Sequence, residues 1–125
     1  MLTMEFGRED PRRSTVRTHG EWHLWLYMCS WRLESPGKIV IASEDRPENI
    51  NQRLREIVWT EVSGVELSQP SLDLEISFQN RYKLKTFAVN SSDDREYDQW
   101  TLYMPGLICI SAKGDSLIVE PSTRS

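Results

Sequence analysis

Cys29 is the residue best suited by its type to act as a nucleophile, and His19 and His23 are the two histidines that could serve as its base. A reactive thiol requires an electropositive, partly exposed environment that stabilises the thiolate. Cys29 instead lies between Met28 and Trp31 in an apolar stretch. We therefore expect a small buried side chain at Cys29 and no nucleophile.

Three alternating residues, His19, Glu21 and His23, would share one face of a strand and could reach one metal ion. A closed zinc site usually takes four ligands in which Cys or His is prominent, and the chain has only two histidines. The sequence also lacks G-x-S-x-G, a P-loop, a glycine-rich dinucleotide motif and H-E-x-x-H. We therefore predict no metal, no cofactor and no enzymatic activity.

An acidic segment follows Ser91-Ser92, with carboxylates at Asp93, Asp94, Glu96 and Asp98. An acid–base pair needs burial or a neighbouring charge to shift its pKa values, and a polar loop leaves these groups solvated. Such a segment is either a solvated loop or a docking surface, because clustered like charges steer an oppositely charged partner. We predict that these four residues bind a basic protein partner.

Aromatic side chains crowd the stretch 21–34, where they could form a stacking platform for a sugar or a nucleotide. They could equally belong to the core, where most large aromatic side chains bury their area. We favour the core and keep the platform as the alternative. The side chains concerned are Trp22, Trp25, Tyr27 and Trp31.

Arg32 is the charged residue of this stretch for which the sequence leaves several environments open. It could stack on the Trp31 indole, or pair with Asp45 and so fix the strand to the start of a helix. It could also extend into solvent from the end of a strand.

Composition describes an ordinary globular chain of 125 residues with a net charge of −4 and a pI near 5.2. This charge argues against nucleic acid as a partner. No apolar window is long enough to cross a membrane, and the acidic start of the chain does not resemble a secretory signal. We expect a cytoplasmic protein whose core is large enough for Cys29 and Cys109 to remain free thiols, although a disulfide stays open.

The stretch 21–34 is apolar on both alternating faces, which predicts a strand covered on both sides. A continuous strand of this length would span roughly 43 Å, whereas a domain of this size has a radius of gyration of about 14 Å. We therefore predict a bend or bulge near residues 28–30, beyond which the facing of Trp31 and Arg32 is not fixed.

A single amphipathic helix is predicted at about 47–58. Pro47 suits the first turn, and Asp45 and Glu48 have the spacing of a capping box. The apolar stripe comprises Ile50, Leu54, Ile57 and Val58.

The stretch 71–78 alternates strictly, which predicts a strand with Leu72, Leu74, Ile76 and Phe78 toward the core. Residues 79–81 form a three-residue hairpin loop in which Asn80 tolerates the left-handed conformation. This register sets two pairs opposite each other: Ile76 with Leu84, and Glu75 with Lys85.

Together these elements predict an α+β fold: an antiparallel β meander of six to eight strands with one helix. A half-barrel and a sandwich remain open as its arrangement. The domain is predicted to span 15–121, between a flexible N-terminal arm (1–14) and a tail (122–125).

Several short motifs follow one another along the chain: Trp31-Arg32, Ser43-Glu44-Asp45, Leu74-x-Ile76-x-Phe78-x-Asn80 with Leu84 and Phe87, and an acidic loop before Trp100. Their succession resembles a group of small bacterial proteins that includes immunity proteins encoded beside polymorphic or contact-dependent growth-inhibition toxins. The resemblance covers about 20–112, and a glycine is expected where Arg81 follows Asn80. The resemblance implies a non-enzymatic cytoplasmic protein that binds and blocks a basic toxin domain. The alternative function is a sugar- or nucleotide-binding module.

Overall fold

The computed structural model describes residues 2–9, 20–57, 60–89, 98–106, 108–113 and 116–121. These residues form ten strands and one helix. The strands are β1 (Leu2–Glu9), β2 (Gly20–Leu26), β3 (Cys29–Ser35), β4 (Lys38–Ala42), β5 (Val62–Ser68), β6 (Asp73–Phe78), β7 (Lys83–Ala88), β8 (Asp98–Met104), β9 (Ile108–Lys113) and β10 (Ser116–Pro121), and the helix is α1 (Pro47–Glu56).

The strands form two antiparallel five-stranded sheets, in the orders β1-β2-β8-β9-β10 (the first sheet) and β4-β3-β7-β6-β5 (the second sheet). The predicted α+β class with antiparallel strands and one helix is confirmed. The described residues form ten strands and not six to eight, because the stretch 21–34 divides into two strands and β1 forms within the segment predicted as an arm. The tail 122–125 lies outside the described residues.

The predicted bend in the long strand is confirmed, since β2 ends at Leu26 in the first sheet and β3 begins at Cys29 in the second. Two backbone bonds keep the intervening residues attached to β8. Tyr27 N donates to Gln99 O at 3.0 Å, and Met28 N donates to Asp98 O at 3.3 Å. The chain therefore changes sheets while it stays paired at the bend.

The bend also shifts the alternation of side chains. Leu24 and Leu26 face the core from β2, whereas Trp31 and Leu33 face it from β3. A regular strand would keep one parity along its length, so the inward set moves by one residue across the bend. This shift places Trp31 in the core and directs Arg32 to the outer face of the second sheet.

One apolar cluster joins the inner faces of both sheets and α1. Trp100 of β8 is 1% exposed, and its indole Nε1 donates to Leu72 O at 3.0 Å, which links the two sheets through a buried hydrogen bond. The predicted inward set of the β6 region is confirmed. All four of its side chains are buried: Leu72, Leu74, Ile76 and Phe78.

The β6–β7 hairpin has the predicted three-residue register, with Ile76 opposite Leu84. The expectation that Asn80 adopts the left-handed conformation is wrong, because Arg81 does so with φ 73°. Asn80 supports the turn differently: its Oδ1 accepts a hydrogen bond from Tyr82 N at 3.2 Å.

Helix α1 lies within the predicted range, and Ile50 is its buried residue. The predicted capping box does not form, since the N-cap is Arg46 and makes no side-chain cap bond. Asp45 Oδ2 instead accepts from Ala42 N at 3.0 Å and closes the turn after β4. In the part of the chain that the structure describes, no helix is long and apolar enough to cross a membrane.

Candidate functional site

The bend between the sheets opens a cleft of about 500 Å³, which we call the bend cleft. Three parts of the chain line it: residues 26–31 around the bend, the start of the helix with Ser43, Glu44, Pro47 and Ile50, and Val89 beyond β7. The cleft lies where the chain passes from β2 of the first sheet to β3 of the second, beside the start of α1.

The base of the bend cleft is fixed by Trp31, which is 6% exposed. Its backbone exchanges two hydrogen bonds with Ser43: Trp31 N donates to Ser43 Oγ at 3.2 Å, and Ser43 N donates to Trp31 O at 2.9 Å. These bonds hold the turn before α1 against β3. Trp31 is therefore a buried part of the cleft that holds two segments of the chain together.

The rim of the bend cleft is apolar, with the carboxylate of Glu44 beside it. Met28 is 39% exposed and Val89 is 53% exposed, and Glu44 is exposed at the helix side. Asp98, the last residue of the acidic segment, begins β8 and accepts the backbone hydrogen bond of Met28. Asp93, Asp94 and Glu96 lie outside the described residues. Of the acidic segment, the structure thus places Asp98 alone, which is joined through its backbone to the exposed Met28.

Cys29 lines the bend cleft as a protonated thiol. Burial raises its pKa to about 12, and the Asp73 carboxylate adds to the increase. Burial also raises the pKa of Cys109, and both thiols are free. A thiol with so high a pKa is a poor nucleophile near neutral pH. His23, one of the two histidines considered as the base for Cys29, lies on the outer face of β2 beside Trp25 and Tyr103. The other, His19, lies outside the described residues.

Arg32 takes neither of the partners that the sequence suggests. It forms an ion pair with Glu34, and its Cζ lies 4.7 Å from the centroid of the Phe87 ring. Both partners follow from the sheet: Glu34 is two residues along on the same face, and Phe87 is a diagonal neighbour on β7. Asp45, the predicted partner, instead has Arg53 Nη1 at 3.9 Å.

Glu34 extends this contact into a charge ladder across β3, β7 and β6. Lys85 Nζ lies 3.2 Å from Glu34 Oε1 and 3.8 Å from Glu75 Oε1, and Lys83 Nζ lies 4.0 Å from Glu75 Oε2. The hydrogen bond from Arg32, aided by Lys85, lowers the pKa of Glu34. Glu34 was not predicted as a partner of Arg32, although the two residues alternate along one strand face, which was a usable signal in the sequence.

The four aromatic side chains of the stretch 21–34 do not share one surface. Trp22 and Trp31 pack with the core, whereas Trp25 lies on the outer face of the first sheet. There its ring meets Tyr103 at 5.6 Å and Tyr27 at 6.0 Å, both edge to face. This cluster fills space with its own rings and offers no row of parallel faces for stacking.

Among the residues that the structure describes, no group of three His, Cys, Asp or Glu side chains is placed to hold a metal ion. Comparison of the chain with protein-family models, with curated proteins and with solved structures gave no significant match.

Proposed function

We propose that this chain is a non-enzymatic binding protein of the immunity type, which binds and neutralises a cognate bacterial toxin domain. The observation that carries the proposal is the composition of the bend cleft: exposed Met28 and Val89 line it together with the carboxylate of Glu44. The resemblance of the sequence to immunity proteins selects a toxin as the partner.

Protein-binding surfaces commonly combine an apolar, desolvated centre with a polar rim. In the bend cleft, Met28 and Val89 supply the apolar centre, and Glu44 supplies a carboxylate at the rim. Burial of the two apolar side chains by a partner would stabilise the complex. The carboxylate of Glu44 would favour a partner that carries Arg or Lys at the matching position.

The net charge of −4 supports a basic toxin domain as the partner. Complementary charge accelerates the encounter between two proteins and suppresses binding of wrong partners. A toxin that acts on nucleic acid carries a positive surface for its substrate. The immunity protein would then neutralise it by covering that surface or the active site next to it.

Co-expression with the toxic domain encoded by the neighbouring gene tests this function. We expect the chain to rescue growth of cells that produce this domain, and to co-purify with it as a stoichiometric complex. Failure of both rescue and complex formation with every adjacent open reading frame would contradict the proposal.

A further inference from the structure

Strand β10 forms an outer edge of the first sheet and is exposed along its whole length. Three consecutive apolar side chains lie on it, of which Val119 is 61% exposed and Ile118 43%. An edge strand presents unpaired backbone donors and acceptors, so an exposed apolar edge is suited to pairing with another strand.

The other three edge strands differ from β10 in one respect. Each of β1, β4 and β5 has a register shift in its pairing with the neighbouring strand. Such bulges twist an edge and interrupt its hydrogen-bonding row, which is a common protection against pairing between molecules. Strand β10 pairs with β9 without a shift over six residue pairs. Of the four edges described, β10 alone is regular.

Two copies of β10 have complementary side chains when they pair in one particular antiparallel register. A two-fold axis perpendicular to the sheet keeps each side chain on its own face of the sheet. Opposed residues must therefore be separated by an even number of positions along β10, so the axis passes through a residue and not between two residues. Centred on Ile118, it sets each Ile118 opposite the other, Leu117 opposite Val119, and Ser116 opposite Glu120. Apolar side chains then meet on both faces, and the one carboxylate faces a hydroxyl.

We propose that two copies of this chain associate through β10 in the register centred on Ile118. The two first sheets then become one continuous ten-stranded sheet. The contact extends over about 20 Å of strand. A single pair of strands of this length buries much less than the roughly 1,600 Å² that a stable complex commonly buries. The dimer is therefore weak and concentration-dependent. This proposal does not rest on the proposed function, since no residue of β10 lines the bend cleft.

Sedimentation velocity of the full chain, from low micromolar to millimolar concentration, tests the dimer. We expect wild type to shift toward a dimer, and Ile118→Lys to weaken association about tenfold or more, because two lysines then oppose each other at the axis. Ile39→Lys is the matched control: Ile39 is also an exposed apolar residue on an edge strand, β4, and should leave association unchanged. Circular dichroism and thermal unfolding verify that each variant is folded.

A mixing experiment tests the register itself. Ile118→Lys and Ile118→Glu should each weaken association alone, yet a mixture of the two should form a heterodimer, because opposite charges then meet at the axis. A chain that stays monomeric at every concentration would overturn the proposal. This result would also be expected if β10 paired with a strand of a different protein and not with a second copy. Wild-type association by the folded Ile118→Lys variant, or a mixture that stays monomeric, would overturn it as well.

Discussion

Arg81 occupies the left-handed conformation, with φ 73°, at the end of the β6–β7 hairpin. A side chain with a Cβ in this conformation costs about 1–2 kcal/mol relative to glycine, while glycine loses more chain entropy on folding. Arg81 is exposed, so little packing is lost with its side chain. We expect Arg81→Gly to raise the free energy of unfolding, measured in urea, by about 0.5–1 kcal/mol.

Asn80→Gly is the control in the same loop. It removes the Oδ1 acceptor of Tyr82 N, so it should lower the free energy of unfolding by about 1 kcal/mol. If Arg81→Gly were also destabilising, the conformation of Arg81 would not be the strained feature of this hairpin.

Glu34 should make stability depend on pH, because its pKa lies below the ordinary value in the folded chain. In the unfolded chain a glutamate titrates near pH 4.3. The stabilisation from Arg32 and Lys85 is thus fully present above that pH and is lost as the pH falls through the lower, folded pKa. We expect Glu34→Gln to cost about 0.5–1 kcal/mol at pH 7 and much less at pH 3.

Urea unfolding at several pH values measures this difference. Glu44→Gln is the control, since Glu44 is exposed and lies outside the ladder of Arg32, Glu34 and Lys85. Its effect should be small at every pH. A loss for Glu34→Gln that did not change between pH 7 and pH 3 would show that the carboxylate charge is not what stabilises the sheet.

Where the backbone pairing of β6 and β7 ends, side-chain oxygens accept the hydrogen bonds of the backbone N–H groups. Beyond Glu75, the Leu74 N–H donates to Thr86 Oγ1 at 3.0 Å, and the Ala88 N–H donates to Asp73 Oδ1 at 2.9 Å. Thr86 is 2% exposed. Its hydroxyl therefore satisfies a backbone donor that water cannot reach.

Thr86→Val keeps the shape of this side chain and removes the acceptor. We expect a loss of about 1–3 kcal/mol in the free energy of unfolding, because the Leu74 N–H is left buried without a partner. Thr86→Ser keeps the hydroxyl and should lose clearly less. A valine variant as stable as the serine variant would mean that the bond between Thr86 and Leu74 contributes nothing.

The elements that the sequence predicted well are those governed by local pattern. Strict alternation in 71–78 determined both the inward face of β6 and the hairpin register, because a slip by one residue would expose Ile76 and Leu84. The length of the stretch 21–34 required a bend. The one-residue shift of the inward-facing side chains at that bend was not predictable, because it depends on how two sheets meet.

The candidate site was predicted less well, since its contacts join distant parts of the chain. Trp31, Ser43 and Val89 meet only because the chain passes from the first sheet to the second between β2 and β3. For Arg32 the sequence left three environments open, with Asp45 as one of them, whereas the one-residue shift at the bend turned Arg32 to the outer face beside Glu34 and Phe87. Patterns of alternation report which face a residue occupies, but not which residue across the fold it will contact.

In the whole molecule, two surfaces stand at different places on the same fold. The bend cleft lies where both sheets and α1 meet, and β10 lies at the free edge of the first sheet. Pairing through β10 would leave the bend cleft of each copy open. If both proposals hold, a dimer would bind two toxin domains at once, one for each chain.

The affinity of the chain for the toxin domain proposed as its partner, measured by isothermal titration calorimetry, tests the bend cleft most directly. Val89→Arg puts a positive charge on the apolar rim, and Ile39→Arg puts the same charge on β4; these valine and isoleucine side chains are 53% and 58% exposed. We predict that Val89→Arg weakens binding about tenfold or more, equivalent to about 1.4 kcal/mol, while Ile39→Arg binds as wild type does. Equal affinities for wild type and both variants would contradict binding through the bend cleft.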